Sequence, residues 1–171
     1  MCGIVGYIGQ RDCTDVLMDG LEKLEYRGYD SAGIAVFEKT GIKTVKTKGK
    51  LKDMREKLVK EGSPVGHCGI GHTRWATHGE PSDLNSHPHS NGRVTIVHNG
   101  IIENYIELKE FLTEKGYTFK SQTDSEIIAC LLDYYYSERN PLHAITETVK
   151  ELRGSYALGI IFRDFPDRVY A

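Results

Sequence analysis

The chain has 171 residues, of which 39% are hydrophobic and 27% charged, and its net charge is −2. This length suits one domain and leaves little room for two, and the balance of charges argues against a broad nucleic-acid-binding surface. No apolar run approaches the roughly 20 residues of a membrane helix, and no secretory signal begins the chain, so we expect a cytoplasmic protein that binds neither nucleic acid nor membrane.

The first half of the chain alternates short apolar runs with helical spacings. It predicts, in order, a strand at 4–8, a helix at about 16–24, strands at 32–37 and from 45, a short helix at 51–58 and a strand at 67–73. A lysine-rich stretch over 39–60 is interrupted by acidic residues. We interpret that stretch as a solvated face, with a binding patch as the alternative.

The second half begins with a polar loop at 81–92. It continues with a strand at 94–98, a helix from about 104, a helix opened by a capping box at Thr123 and Glu126, a helix that starts at Asn140–Pro141, and a strand at 156–162. Strands are grouped with strands and helices with helices, which favours a layered α+β domain over a doubly wound sheet. The last four residues resemble the start of another strand, so we expect a C-terminally truncated piece of a longer chain.

Cys2 is the most informative residue for chemistry, because it directly follows the initiator methionine. If Met1 is removed, Cys2 carries both a thiol and a free α-amine, whose pKa is ordinarily about 7.7–8.0. Such an amine can act as a general base for the thiol of its own residue. The alternative interpretation is a small buried residue at the start of the chain.

Six blocks of sequence together resemble one known family. They are MCGIVG at 1–6, RGYDSAG at 27–33, GHTRWATHG at 71–79, NSHPH at 85–89, HNGIIEN at 98–104 and SQTDSE at 121–126. In this order they resemble the class II glutamine amidotransferases, which are N-terminal nucleophile hydrolases, and among them the branch that transfers ammonia to fructose 6-phosphate. The resemblance covers essentially the whole chain.

The resemblance implies a fold and a reaction. The fold is the four-layer αββα sandwich, with residues 1–171 forming most of a type 2 glutamine amidotransferase domain. The reaction is hydrolysis of L-glutamine to glutamate and ammonia through a cysteinyl thioester. No cofactor is implied. The implied partners are L-glutamine and the sugar isomerase domain of a full-length chain, which is absent from this sequence, and a homo-oligomer remains open.

Three residues match the family's catalytic positions. Cys2 matches the nucleophile, while Asn99 and Gly100 match an oxyanion hole, to which they would contribute a side-chain amide and a backbone N–H. Losing one such donor typically raises the barrier by about 2.7–4 kcal/mol. From the pattern alone, Asn99–Gly100 reads more readily as a tight hairpin turn.

Other positions match substrate contacts. Arg74 matches the residue that holds the glutamine α-carboxylate, for which a planar guanidinium is well suited, and Asp124 matches the partner of the α-ammonium. Asp124 is also explained as a carboxylate at a helix start. Thr77 and His78 match substrate-side contacts, and Trp75 matches a loop residue that helps to close the site, with simple packing as its alternative.

Arg27 matches a residue near the nucleophile in the family, with a structural ion pair as the alternative. The histidines at 67–89 invite a metal hypothesis, but no HExxH or CxxC spacing is present, so no metal site is expected. Two rival functions remain open. One is the glutaminase domain of an amidophosphoribosyltransferase, and the other is a non-catalytic glutamine-binding domain.

Overall fold

The computed structural model describes residues 2–27, 29–75 and 79–171, with the side chains of all of these except Arg27 and Glu138. Seven strands are present in the described residues: β1 (Gly3–Ile8), β2 (Ser31–Glu38), β3 (Gly41–Lys48), β4 (Cys68–Arg74), β5 (His89–Ser90), β6 (Val94–Ile102) and β7 (Gly154–Phe162). The strands form one four-stranded sheet in the order β1-β4-β2-β3 and one three-stranded sheet in the order β5-β6-β7. Every named pairing is antiparallel.

The same residues contain five α-helices, which are α1 (Cys13–Glu22), α2 (Leu51–Glu61), α3 (Tyr105–Glu114), α4 (Asp124–Tyr135) and α5 (Pro141–Glu151). The Asp12 side chain caps α1 by accepting a hydrogen bond from the Thr14 backbone N–H at 2.9 Å. Asn140 caps α5 in the same way, and Pro141 occupies its first turn as predicted. No helix in these ranges is long and apolar enough to cross a membrane.

Three separate apolar clusters show that the elements form four layers. The first cluster lies between the four-stranded sheet and helices α1 and α2, and the second lies between the three-stranded sheet and helices α3, α4 and α5. A third, smaller cluster joins the two sheets, and its buried members are Ala35, Phe37, Cys68, Ile70, Val97 and Ile161. The expected αββα sandwich is therefore confirmed.

The alternation of strand residues explains how one strand serves two clusters. In β2, Ile34 and Val36 contact the helical layer, whereas Ala35 and Phe37 face the other sheet, as the two-residue period of a strand requires. All four are buried, which is why β2 is a continuous apolar run rather than an alternating one.

Three local predictions were wrong, and one of them is the loop at 81–92, which contains strand β5. Strand β6 does not end at residue 98, because it stays paired with β7 through Asn99, Gly100 and on to Ile102. The capping box at α4 does not form either. The Glu126 carboxylate accepts hydrogen bonds from the backbone N–H groups of Lys120 and Ser121 instead of from Thr123. Near the end of the chain, the expected extra strand is a single bridge between Tyr170 and Ile160.

Candidate active site

The pairing of β1 with β4 brings the N-terminal cysteine to the end of a buried strand. Gly3 lies opposite Thr73 in this register, so Cys2 adjoins Arg74 and Trp75. The Trp75 backbone N–H donates a hydrogen bond to Cys2 Sγ at 3.2 Å, and the thiol lies 3.6 Å from the Trp75 carbonyl oxygen. The sulfur is therefore held in place by the backbone of the loop that follows β4.

Cys2 differs in environment from the other three cysteines. Its side chain is only partly buried, while Cys13, Cys68 and Cys130 are buried and none forms a disulfide. Burial raises the pKa of Cys13 and Cys130 to about 12 and that of Cys68 to about 11. Those thiols stay protonated at neutral pH, and since the thiolate is the reactive form, they are poor nucleophiles.

One cleft gathers Cys2 with residues from both sheets and from α4. Its lining residues are Cys2, Arg74, Trp75, His87, His98, Gly100, Thr123, Asp124 and Ser125. Five of the residues singled out in the sequence therefore meet here, although they come from positions up to 122 residues apart. Trp75 is 53% exposed, so core packing does not explain it.

The cleft carries two buried charges of opposite sign. Arg74 ends β4, and its Nη2 donates to the Gly79 carbonyl oxygen at 3.3 Å. Asp124 begins α4, and its Oδ2 accepts from the Ile102 backbone N–H at 2.9 Å. Both residues are less than 10% exposed. A guanidinium and a carboxylate that line one cleft complement the two charges of a free amino acid.

Asn99 and Gly100 are strand residues here, so the hairpin-turn interpretation was wrong. Gly100 has a φ of +126°, and a Cβ built on it would collide with the carbonyl oxygen of Ser155 on β7. Only glycine meets both conditions without strain. Gly100 lines the cleft, while the Asn99 Oδ1 atom lies 2.8 Å from His72 Nε2 on the opposing sheet.

A cluster of buried histidines, which the sequence did not assign to the site, lies between the sheets beside the cleft. The His72 and His87 ring centroids are 4.1 Å apart, and those of His87 and His89 are 4.8 Å apart. Burial lowers the pKa of His72 to about 4, and that of His87 and His89 well below the ordinary value. These rings are therefore neutral at pH 7. The sequence signal that could have revealed this cluster is the high number of histidines between residues 67 and 89.

Of His72, His87 and His89, it is His87 that lines the cleft. Both of its ring nitrogens are buried, and neither has a hydrogen-bond partner among the described residues. His98, also on the lining, instead shares a 2.8 Å hydrogen bond with Ser125 Oγ. No group of three or more His, Cys, Asp or Glu side chains in the described ranges is arranged to hold a metal ion.

Three other predicted site residues fall wholly or partly outside the described part of the chain. Thr77 and His78 lie outside the described residues, and so does the side chain of Arg27, whose backbone ends a short 3-10 helix at Glu25–Arg27. The backbone of the neighbouring Asp30 is nevertheless tied to the site, since its N–H donates to the Arg74 carbonyl oxygen at 2.8 Å.

Known proteins are similar to this chain in both sequence and fold. A family model described as a glutamine amidotransferase domain matches residues 72–170. The chain is 56% identical to the glutamine–fructose-6-phosphate aminotransferase [isomerizing] of Clostridium tetani and 58% identical to that of Clostridium perfringens, over all of this chain in each case. It spans 28% of the length of these curated relatives.

The fold is also found in a solved structure of the glutamine phosphoribosylpyrophosphate amidotransferase from B. subtilis, complexed with ADP and GMP. That chain superposes with a TM-score of 0.79 and 24% sequence identity, covering 95% of this chain and 35% of the other. At this identity the likeness concerns the fold alone.

Proposed function

The chain belongs to the glutamine amidotransferase domain family, and on that premise we propose that it hydrolyses L-glutamine to glutamate and ammonia with Cys2 as nucleophile. The single observation that carries the proposal is the placement of the Cys2 thiol in one cleft with Arg74 and Asp124. A thiol beside a buried cation and a buried anion suits an amino acid substrate whose side chain reaches the sulfur.

Each polar group of glutamine has a matching group in this arrangement. The Arg74 guanidinium pairs with the α-carboxylate through its fork of N–H donors, and the Asp124 carboxylate pairs with the α-ammonium. These contacts hold the side-chain amide of glutamine near Cys2 Sγ, which converts the attack into an effectively intramolecular step. Thr77, His78 and Trp75 are proposed as further contacts from the loop after β4, and Arg27 as a supporting residue.

The reaction proceeds through a thioester. Once Met1 is removed, the α-amine of Cys2 takes the thiol proton, and the sulfur attacks the amide carbon of glutamine. The negative charge that develops on the amide oxygen is stabilised by the side chain of Asn99 and the backbone N–H of Gly100. The amine then returns the proton to the departing ammonia, and water cleaves the γ-glutamyl thioester to release glutamate.

We further propose that the ammonia serves the synthesis of glucosamine 6-phosphate from fructose 6-phosphate. The chain would be the glutaminase part of a longer cytoplasmic enzyme whose sugar isomerase domain consumes the ammonia. This assignment is favoured over an amidophosphoribosyltransferase because the aminotransferase relatives are 56–58% identical to the chain, whereas the phosphoribosylpyrophosphate enzyme is 24% identical.

The nucleophile is tested by mass spectrometry after treatment with a glutamine analogue that carries an electrophile at the amide position. We expect one adduct, located on Cys2, in protein that has lost Met1. The buried Cys13, Cys68 and Cys130 serve as internal controls and should remain unmodified. Adducts spread over several cysteines would indicate nonspecific alkylation and would contradict the proposal.

A matched pair of variants tests the activity itself. Cys2→Ala should abolish ammonia release while glutamine still binds, because the charged groups of the cleft are retained. Cys130→Ser, which changes a buried thiol in α4, should keep the activity of whatever fraction is folded. Ammonia release by the Cys2→Ala protein at the wild-type rate would refute the mechanism.

A further inference from the structure

A hydrogen bond connects the two sheets at Asn99, one of the two proposed oxyanion donors. His72 lies within β4 and Asn99 within β6, and His72 Nε2 is 2.8 Å from Asn99 Oδ1. Ile70 and Val97, two residues earlier on these strands, both belong to the cluster between the sheets. The two-residue period of a strand therefore directs His72 and Asn99 into the same interlayer space.

The chemistry of the two side chains determines which ring nitrogen of His72 carries the proton. Burial is the main cause that lowers the pKa of His72, to about 4, so the ring is neutral at pH 7 and carries one N–H. An amide oxygen can only accept a hydrogen bond, so that N–H must be on Nε2. His72 Nδ1 is then a bare acceptor, which fits its buried position without a partner among the described residues.

The opposite arrangement is less stable. If the Asn99 amide were turned by 180°, its NH₂ group would face Nε2, and the histidine proton would have to move to Nδ1. The proton would then lie on Nδ1, which is buried and has no hydrogen-bond partner in the described part of the chain. An unpaired buried N–H costs more than an unused nitrogen lone pair. His72 therefore selects one of the two orientations of the Asn99 amide.

We propose that His72 is a positioning residue for glutamine hydrolysis, because it holds the Asn99 carbonyl and so leaves the Asn99 NH₂ group to donate to the oxyanion. This inference rests on the proposed function, in which Asn99 and Gly100 stabilise that oxyanion. An amide in the reverse orientation would present its oxygen to the developing negative charge and would oppose the reaction. His72 itself does not touch the substrate.

A set of variants separates this role from a structural one. Asn99→Ala should lower kcat by about 10²–10³-fold, as expected for loss of one oxyanion donor. His72→Leu should lower kcat by about 10–100-fold, by analogy with the loss of residues that orient metal ligands, with little change in KM. His72→Gln, which restores an N–H donor at a similar distance, should recover most of the lost kcat.

The decisive measurement is the coupling between the two positions. In an Asn99→Ala background, His72→Leu should cause no further loss of kcat, because the group that it orients is already gone. His89→Leu is the matched control, since His89 is an equally buried member of the cluster that contacts Thr123 and not Asn99. Its effect on kcat should add to that of Asn99→Ala. Full additivity for His72→Leu as well would overturn the inference.

Three further outcomes keep the inference separate from the proposed function. Nitrogen NMR of wild-type protein should show the His72 proton on Nε2, and a proton on Nδ1 would refute the positioning role even if every variant failed to fold. If wild-type protein releases no ammonia from glutamine, the proposed function fails. If Cys2→Ala and Asn99→Ala lose activity while His72→Leu does not, only the role of His72 is wrong.

Discussion

Adding one methyl group to Gly100 should damage the protein in two separable ways. Gly100 has a φ of +126°, where any other residue is strained, and its missing Cβ leaves room for the Ser155 carbonyl oxygen of β7. The unfavourable φ should cost about 1–3 kcal/mol. The collision with a backbone atom, which cannot rotate away, should add about 1–3 kcal/mol by analogy with overpacked cores.

Gly41 offers a matched control for this prediction. Its φ of +128° is nearly the same, but nothing lies within 4 Å of a Cβ built on it. In urea unfolding, Gly41→Ala should therefore show only the conformational cost, and Gly100→Ala should be less stable than Gly41→Ala by about 1–3 kcal/mol. Equal losses of stability at the two positions would refute the claim that strand β7 leaves no space at Gly100.

The same substitution should reduce catalysis beyond its effect on stability. Relief of the collision requires β6 to move away from β7, and this displaces the Gly100 N–H at the cleft. A misplacement of about 1 Å can lower the rate by about 10²-fold. We expect ammonia release by folded Gly100→Ala protein to fall by about this factor, whereas Gly41→Ala should retain wild-type kcat. Wild-type activity of the folded Gly100→Ala protein would contradict the proposed oxyanion role of this N–H.

Three other predictions follow from the site and its surroundings. Arg74→Lys removes a planar fork of donors and should raise the KM for glutamine by about 10–100-fold. This factor is the equivalent of one lost charge-assisted hydrogen bond. An unchanged KM in steady-state assays would show that Arg74 does not bind glutamine. Burial holds the pKa of His87 well below the ordinary value of 6.5, so the unfolded chain binds a proton on this ring below that pH and the folded chain does not. Stability should therefore fall as the pH decreases below about 6.5, by at most about 1.4 kcal/mol per pH unit for this group, and the slope measured by urea unfolding should become shallower in His87→Gln. Asp133→Ala should lower stability by about 1–3 kcal/mol, because the Asp133 carboxylate accepts hydrogen bonds from Arg93 Nε at 2.6 Å and from the Tyr117 hydroxyl at 2.9 Å. The Arg93 side chain is 46% exposed, so hydrogen bonding rather than charge attraction accounts for most of this value. An unfolding midpoint equal to that of wild type would show that this network adds nothing.

The sequence by itself determined most of the elements and the main candidates for chemistry. Apolar periodicity predicted most of the strands and helices correctly because each element buries one face, and burial has to match the period of the element. Asn140–Pro141 was also identified correctly, since a cap depends only on its nearest neighbours. The position of Cys2 and the ordered blocks around Arg74 and Asp124 predicted the family that the comparisons support.

The tertiary structure alone decided how those residues meet. Asn99–Gly100 has a typical turn sequence, yet pairing with β7 keeps both residues in a strand. Thr123 and Glu126 have the spacing of a capping box, yet Glu126 binds the backbone of 120–121. The link from His72 to Asn99 had no local signal at all. In each case the deciding partner lies in another segment of the chain, and local patterns record which face of an element is buried but not which distant residue covers it.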